Sequence, residues 1–135
     1  MAYMNQERKA QRAAAIKAIC KRYGVKASLS VRNHSTLVLN VKAGAIDFME
    51  SFNRIVGARP QNVNFTPATK DIQVNPYWYK EHFDGAALAF LEEVIPEMYG
   101  TDYFDESDAQ TDYFHCSHYI DVNIGRWDKA YELLA

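Results

Sequence analysis

The sequence has few of the residues that would place it in a specialised class of protein. It contains two cysteines, six glycines and four prolines in 135 residues, which excludes a disulfide framework, a collagen-like repeat and a low-complexity chain. Apolar residues make up 48% of the chain and charged residues 24%, a composition typical of a globular protein with a packed core. A chain of this length usually forms one hydrophobic core. We therefore expect residues 1–135 to form a single domain.

Long hydrophobic runs are missing as well. The best apolar stretch, residues 86–91, is much shorter than the ~20 residues that a membrane span needs. No apolar stretch of signal-peptide length precedes the charged residues 7–9. We therefore expect no association with a membrane, and the small number of cysteines favours the reducing cytosol as the compartment.

Motifs for catalysis or metal binding are equally scarce. The chain has no glycine-rich phosphate loop and no Gly-x-Ser-x-Gly sequence. In a strand, Cys116 and His118 would share one face while His115 points to the other, and two ligands do not make a zinc site. The carboxylates of residues 102–112 lack the alternation of an EF-hand calcium loop. No catalytic residue, metal or cofactor is predicted, and an enzyme, a zinc site and a calcium site remain alternatives without a motif.

Charge is distributed very unevenly along the chain. Residues 1–26 carry seven basic side chains and one acid, whereas residues 81–125 contain eleven acids and no lysine or arginine. Such asymmetry bears on partners and association more than on fold. One interpretation is that the two ends lie against each other or are simply solvated. The other is that one end binds an oppositely charged macromolecule.

The first half of the chain changes from helical to strand periodicity. Residues 6–23 form a predicted helix whose apolar stripe, when extended toward the N-terminus, meets Arg12 and Lys9. The helix therefore either projects beyond the core or offers these two charges to something acidic nearby. Alternation predicts two strands, over residues 25–32 and 37–42, joined by a short turn as an antiparallel hairpin. A helix over 47–56, a loop over 59–70 and a short strand over 71–74 follow.

The second half contains the clearest helix and the clearest strand. A helix is predicted to begin at Asp84 or Gly85, and Pro96 should end or kink it. In the last strand, the side chains of Ile120, Val122 and Ile124 are expected to face the core. Four apolar residues after this strand are interpreted as anchors for the tail: Trp127, Tyr131, Leu133 and Leu134.

Together these elements predict an α+β fold. We expect a single two-layer domain with a mostly antiparallel four-stranded sheet and helices packed on one face. The other face of the sheet would be polar and would lack the aromatic platform of an RNA-recognition sheet. It would present Ser28, Ser30, Arg32, Asn40, Gln73, Tyr119, Asp121 and Asn123.

Two aromatic clusters allow more than one interpretation. The rings of Tyr77, Trp78 and Tyr79 would point in three directions on a helix, so at most one or two could be exposed to stack on nucleobases, and the core is the plainer assignment. The sequence Thr-Asp-Tyr-Phe occurs at 101–104 and again at 111–114. These copies could be local turns pinned by aromatic residues, or a docking surface for a basic partner.

Several stretches resemble a family of small α+β proteins found in bacteriophages and mobile elements and related to a large-polyvalent-protein-associated domain. The resemblance covers residues 1–9, 23–26, 30–40, 110–114 and 119–127. It implies a phage or mobile-element protein that acts in the cytoplasm of a bacterial host, during establishment against host defences. The family has no assigned catalytic residues, so the resemblance transfers none.

The leading functional prediction is a non-enzymatic interaction protein that engages a basic protein partner, for example a component of host defence. A long stretch without a cation repels nucleic acid and attracts basic surfaces. The predicted partner-binding residues are Asp102, Tyr103, Phe104, Asp105, Glu106, Asp108, Asp112, Tyr113 and Phe114. The alternative is a nucleic-acid-binding module on the basic N-terminal helix. Its predicted contacts are Arg8, Lys9, Arg12 and Lys17.

Overall fold

Three helices and five strands make up the part of the chain that the computed structural model describes, which is residues 3–101, 103 and 117–134. The helices are α1 (Gln6–Arg22), α2 (Phe48–Gly57) and α3 (Gly85–Tyr99), with a 3-10 turn at Tyr79–Glu81. The strands are β1 (Val25–Arg32), β2 (Thr36–Gly44), β3 (Ile72–Val74), β4 (Tyr119–Ile124) and β5 (Glu132–Leu133). The fold class predicted from the sequence, α+β, is confirmed.

The sheet is mixed, and the predicted four-stranded, mostly antiparallel arrangement is wrong. Its order is β1-β2-β4-β3, with β5 beside the end of β2. The pairs β1–β2 and β3–β4 are antiparallel, whereas β4 and β5 both run parallel to β2. A parallel pair needs a long crossover connection, and the segment between β2 and β4, which includes α2 and α3, provides one.

The predicted hairpin between β1 and β2 is confirmed. Its turn is closed by a hydrogen bond from the Ser35 amide to the Arg32 carbonyl at 3.2 Å. The two residues inside the turn, Asn33 and His34, have φ of 54° and 53°. Positive φ at both central positions matches the right-handed twist of the two strands. The turn therefore fixes the register in which Val31 lies opposite Leu37.

Alternate residues of the strands enter one hydrophobic core with the helices. The expectation for Ile120, Val122 and Ile124 is confirmed, because each is at most 5% exposed. At the centre the fully buried Phe48 makes edge-to-face contacts with three other rings, at centroid distances of 5.4 to 6.3 Å. Those rings belong to Phe83, Phe90 and Tyr131. The same core contains Ile16 of α1 and Leu91 and Val94 of α3.

Two details of the helices bear on the predictions. The side chain of Asn5 caps α1 by accepting a hydrogen bond from the Arg8 amide at 2.8 Å. Pro96 lies inside α3, and the helix continues to Tyr99. The expectation that Pro96 ends this helix is therefore wrong, while the alternative of a kink stays a prediction. Among the described residues, no helix has both the length and the apolar character to cross a bilayer.

A polar network connects α2 to the start of α3. Arg54 makes two hydrogen bonds to the carboxylate of Asp84, at 2.7 and 2.9 Å. The hydroxyl of Ser51 donates to the same carboxylate at 2.9 Å and accepts from the Asp84 amide at 3.0 Å. The hydrogen bonds from Arg54 and then Ser51 hold the pKa of Asp84 below its ordinary value of 3.8.

We expect this network to make stability depend on pH in the acid range. A carboxylate whose pKa is lowered by folding stabilises the folded state above the unfolded pKa, and this contribution is lost as pH falls through the folded pKa. The wild type should therefore lose more stability below about pH 4 than the Asp84→Asn variant. Urea denaturation of both proteins from about pH 6 to about pH 2.5 measures the difference. Parallel pH profiles for the two proteins would contradict the assignment.

Candidate functional site on the polar face of the sheet

The strand register assembles the polar face that the sequence predicts. One row across the sheet contains Ser28, Asn40, Asn123 and Gln73, on β1, β2, β4 and β3 in that order. A second row joins Ser30, Val38 and Asp121, and a third joins Arg32, Thr36 and Tyr119. All eight residues assigned to this face therefore share it, and the prediction is confirmed.

At the middle of the polar face, side chains of different strands form a hydrogen bond and an ion pair with each other. The amide of Asn123 donates to the side-chain oxygen of Asn40 at 3.3 Å. Arg32 forms an ion pair with Asp121 across β2, with side chains that are 54% and 20% exposed. The centre of the face is thus rich in hydrogen-bonding groups and close to neutral in charge.

One end of the polar face is aromatic. Tyr77 is 72% exposed and Tyr119 48% exposed, and both line a cleft of about 370 Å³. The side chain of Asn75 accepts hydrogen bonds from the amides of Tyr77 and Trp78, a local turn that directs these two residues outward. Tyr79 enters the core with 7% exposure. Two of the three rings are therefore exposed, which is the most that the sequence allows, and the assignment of this cluster to the core is confirmed for Tyr79 and wrong for Tyr77 and Trp78.

The opposite end of the polar face is basic. After β4 the chain makes a tight turn in which Arg126 and Lys129 exchange backbone hydrogen bonds of 2.8 and 3.2 Å. Lys42, Arg126 and Lys129 line a cleft of about 240 Å³ with Ser28 and Asn40. A neighbouring cleft of about 210 Å³ is lined by Arg126 and Trp127 and also by the acidic residue Asp71. Three clefts therefore lie along one face of the sheet.

Trp127, at the basic end of the polar face, does not have the position that the sequence predicts. The sequence predicts an anchor for the tail, but the side chain is 80% exposed, so that expectation is wrong. Leu133 is also exposed, at 51%, so its assignment as an anchor is wrong as well, while Leu134 is half-buried. Tyr131 is buried and its hydroxyl donates to the Ile46 carbonyl at 2.7 Å, which confirms it as an anchor. A usable signal is the position of Trp127 between Arg126 and Asp128, close after a glycine, which is typical of an exposed turn.

Most of the predicted partner-binding segment lies outside the described residues. This applies to Asp102, Phe104, Asp105, Glu106, Asp108, Asp112, Tyr113 and Phe114. Tyr103 is described and is half-buried, with its ring centroid 4.4 Å from that of Tyr99 and 5.4 Å from that of His118. It lines the aromatic cleft of the polar face.

The predicted nucleic-acid contacts on α1 point in different directions. Arg12 is 5% exposed, and its guanidinium donates to the carbonyls of Met98 and Tyr99 at 3.1 and 2.9 Å. The structure therefore corrects the expectation that Arg12 contacts nucleic acid. Arg8 donates to the carbonyl of Tyr3 and contacts the His118 ring at 3.3 Å. Lys17 is exposed and Lys9 half-buried.

His118 is buried and hydrogen-bonded within the fold. The side chain is fully buried, and Nε2 donates to the Met98 carbonyl at 2.9 Å while Nδ1 accepts from the Ser117 hydroxyl at 3.0 Å. His115 and Cys116, its predicted neighbours in a zinc site, lie outside the described residues. Within residues 3–101, 103 and 117–134, no three metal-ligating side chains converge.

Cys20 does not have the surroundings of a nucleophile. It is 8% exposed, and burial raises the pKa of its thiol. A raised pKa leaves little of the reactive thiolate at neutral pH.

Comparisons with protein families, with curated proteins and with solved structures found no match for this chain. The resemblance to phage and mobile-element proteins therefore stays a prediction.

Proposed function

We propose that the polar face of the sheet binds single-stranded nucleic acid. The observation that carries the proposal is the presence of exposed rings at both ends of one hydrogen-bonding, partly basic face. The sequence predicts nucleic-acid binding only as an alternative on α1, and it predicts no aromatic platform on this face. The proposal places the function on the sheet because Tyr77, Tyr119 and Trp127 line clefts at its two ends. The proposal includes the predicted two-layer arrangement, in which the helices cover only the opposite face.

The exposed rings provide stacking surfaces for bases. Tyr77 and Tyr119 line the cleft at one end, and Trp127 lines a cleft at the other. A base stacks on an aromatic side chain in a sequence-tolerant way because every base has a flat π face. The bases of a duplex are already stacked on each other, so these rings favour unpaired strands.

The cations at the basic end can contact phosphates. Lys42, Arg126 and Lys129 line the same cleft. Arg126 lies 3.5 Å from Asp128, but both side chains are about half exposed or more, and an exposed ion pair of this kind adds little free energy. Arg126 can therefore exchange this contact for a phosphate without a large cost.

The dimensions of the face suit several nucleotides. The six residues of β4 span roughly 20 Å at ~3.3 Å per residue. The amides of Asn40 and Asn123 and the hydroxyl of Ser28 lie between the two ends and can form hydrogen bonds to base edges or sugars. A nucleic-acid strand that lies along β4 would contact aromatic, amide and basic groups in turn.

Removing one exposed ring should weaken binding strongly. Stacking contributes about 1–3 kcal/mol per base, so we expect Trp127→Ala to weaken binding of a twelve-nucleotide oligo-dT roughly 5- to 150-fold. Fluorescence anisotropy with a labelled oligonucleotide measures the affinity. The matched control is Trp78→Ala, which removes the other tryptophan of the chain, 58% exposed and outside the three clefts. In that control, quenching of the remaining tryptophan reports binding at Trp127 directly.

The dependence of binding affinity on salt concentration distinguishes the polar face from other surfaces that could bind nucleic acid. Lys129→Glu should weaken binding and lower the slope of log affinity against log salt by about 0.7 for each phosphate that is no longer neutralised, whereas Lys80→Glu should change neither. Equal or tighter binding of duplex DNA, or loss of binding only in Lys9→Glu and Lys17→Glu, would contradict the proposal. Loss of binding only in the two lysine variants would place the nucleic-acid interface on α1.

The predicted protein-binding function depends on residues 102–114, of which the structure describes only Tyr103. It stays a prediction. If an arginine-rich peptide binds tightly, oligo-dT does not, and binding is lost when Asp105, Glu106 and Asp108 are changed to lysine, the acidic segment and not the polar face is the functional surface.

A further inference from the structure

A second surface lies between α1 and β1. It is a groove of about 730 Å³ whose floor includes Ile16, Cys20, Leu29 and Leu39. Ala13 also lines the groove, and its small side chain leaves room between the helix and the strand. Ala13, Ala27 and Leu29 are only partly buried, so apolar surface remains available to a partner.

Four lysines surround this groove. Lys9, Lys17 and Lys21 of α1 line it together with Lys26 of β1. The three helical lysines are spaced by eight and four residues, which places them in one row along the helix. Of the described residues that line the groove, none is acidic. The groove therefore combines an apolar floor with a wholly cationic rim.

The strand that borders the groove is an edge strand. Among the strands that the structure describes, β1 pairs with β2 on one side and ends the strand order on the other. Half of the backbone N–H and C=O groups of an edge strand point away from the sheet and can pair with another chain. An irregularity in register lies between Lys26 and Ala27, so the regular part of this edge begins at Ala27.

The geometry points to a docking site for an extended, acidic segment of another protein, which adds to the sheet beside β1. Alternate side chains of an added strand point to the same face, so its apolar residues would enter the groove beneath α1. Its acidic residues would meet the lysine rim. This mode of recognition obtains affinity from main-chain hydrogen bonds and specificity from the pocket for alternate side chains.

Charge argues against a second copy of this chain as the occupant. Pairing two β1 edges would bring two sets of four lysines together, and like charges facing each other across an interface oppose association. An acidic segment gains from the same four charges. Ser28 lines both this groove and the basic cleft of the polar face, but none of the aromatic residues and none of the basic residues assigned to the polar face lines the groove, so the two sites can be tested separately.

The test uses designed peptides as probes. Two ten-residue peptides that alternate valine with glutamate, one in each phase, are titrated into the full-length protein and followed by amide NMR shifts. We expect at least one to bind at the groove, and to slow hydrogen exchange at alternate amides between Ala27 and Arg32. The corresponding valine–lysine peptides should not bind.

Two variants examine the rim and the floor separately. Lys17→Glu combined with Lys21→Glu should weaken binding by about tenfold or more, and Ala13→Met should weaken it by filling the groove without changing charge. Lys80→Glu is the matched charge control. Circular dichroism checks that each variant is folded, and if Ala13→Met does not fold, the charge pair alone decides the outcome.

Two results would overturn the inference. Both peptides could fail to bind, or a bound peptide could leave the β1 amides exchanging at their free rate. If both peptides fail, laurate is titrated next, and it could bind in the groove. The last outcome would assign the groove to an acyl chain with an anionic head. None of these results bears on oligo-dT binding, so this inference and the proposed function fail separately.

Discussion

Replacing Gly125 with alanine is expected to lower the free energy of unfolding by about 2 to 5 kcal/mol. Gly125 has φ of +74°, and a Cβ there would lie 2.2 Å from the Lys70 carbonyl oxygen and 2.6 Å from the Tyr131 amide nitrogen. These two atoms are hydrogen-bonded to each other at 2.9 Å. A left-handed conformation costs an alanine about 1–2 kcal/mol, and the steric overlap adds about 1–3 kcal/mol. Urea denaturation measures the loss.

Gly85→Ala is the matched control. Gly85 also has positive φ, +55°, but a Cβ placed on it would have no heavy atom within 4 Å. Only the backbone penalty applies there, partly offset by the lower entropy of the unfolded alanine chain, so we expect a loss of about 1 kcal/mol or less. Equal losses for the two variants would mean that the backbone near Gly125 moves aside easily. Because Gly125 starts the turn that presents Arg126 and Trp127, its variant should also bind oligo-dT more weakly.

The elements of this fold could be predicted because their signals are local. Helical periodicity, the Asn5 cap and the alternation of Ile120, Val122 and Ile124 are all contained in short windows of sequence. The same alternation predicts which residues share the polar face. Which residues share a face is decided by alternation along each strand. The prediction of the face is therefore correct even though the predicted direction of strand pairing is wrong.

The direction of pairing could not be predicted for the same reason. Alternation in β2 and β4 is compatible with parallel and antiparallel neighbours, since both place alternate side chains on one face. The choice is made by how the long segment between Gly44 and Tyr119 packs, which is a property of the whole chain. β5 has two residues, too few to show any period.

The candidate site is only partly visible in the sequence. An apolar residue such as Trp127 is readily assigned to the core, but apolar residues contribute much of every protein surface. The helical stripe correctly reaches Arg12, yet the groups that Arg12 contacts include backbone carbonyls, and no pattern of side chains reveals those. Side-chain patterns therefore predict which face a residue occupies better than they predict what it meets there.

Arg12→Ala is expected to lower the free energy of unfolding by about 3 kcal/mol. The guanidinium joins α1 to the end of α3 through the carbonyls of Met98 and Tyr99, and it also donates to the Arg8 carbonyl at 3.1 Å. A hydrogen bond to a charged group contributes about 1.5–3 kcal/mol, and its loss leaves buried carbonyls without this donor. Lys17→Ala, at an exposed position on the same helix, should change stability by less than about 0.5 kcal/mol.

Arg12→Lys tests whether geometry or charge matters. Lysine keeps the positive charge but lacks the planar fork that reaches several carbonyls at once. We expect it to recover less than half of the loss caused by alanine. If Arg12→Lys restores the whole free energy of unfolding, the positive charge of residue 12 and not the geometry of its hydrogen bonds would be what stabilises the fold.

Gly100 allows a double-mutant cycle that locates the role of Arg12 at this contact. A Cβ on Gly100 would lie 2.5 Å from the Arg12 guanidinium, so Gly100→Ala should disturb the hydrogen bonds of Arg12 as well as strain its own backbone at φ of +79°. In a protein that already carries Arg12→Ala this overlap is absent, and only the backbone strain remains. The double variant should therefore be more stable than the sum of the single losses predicts, by about 1 kcal/mol. Additive losses would show that a Cβ at position 100 does not act through Arg12, and the close approach of the Arg12 guanidinium to Gly100 would be wrong.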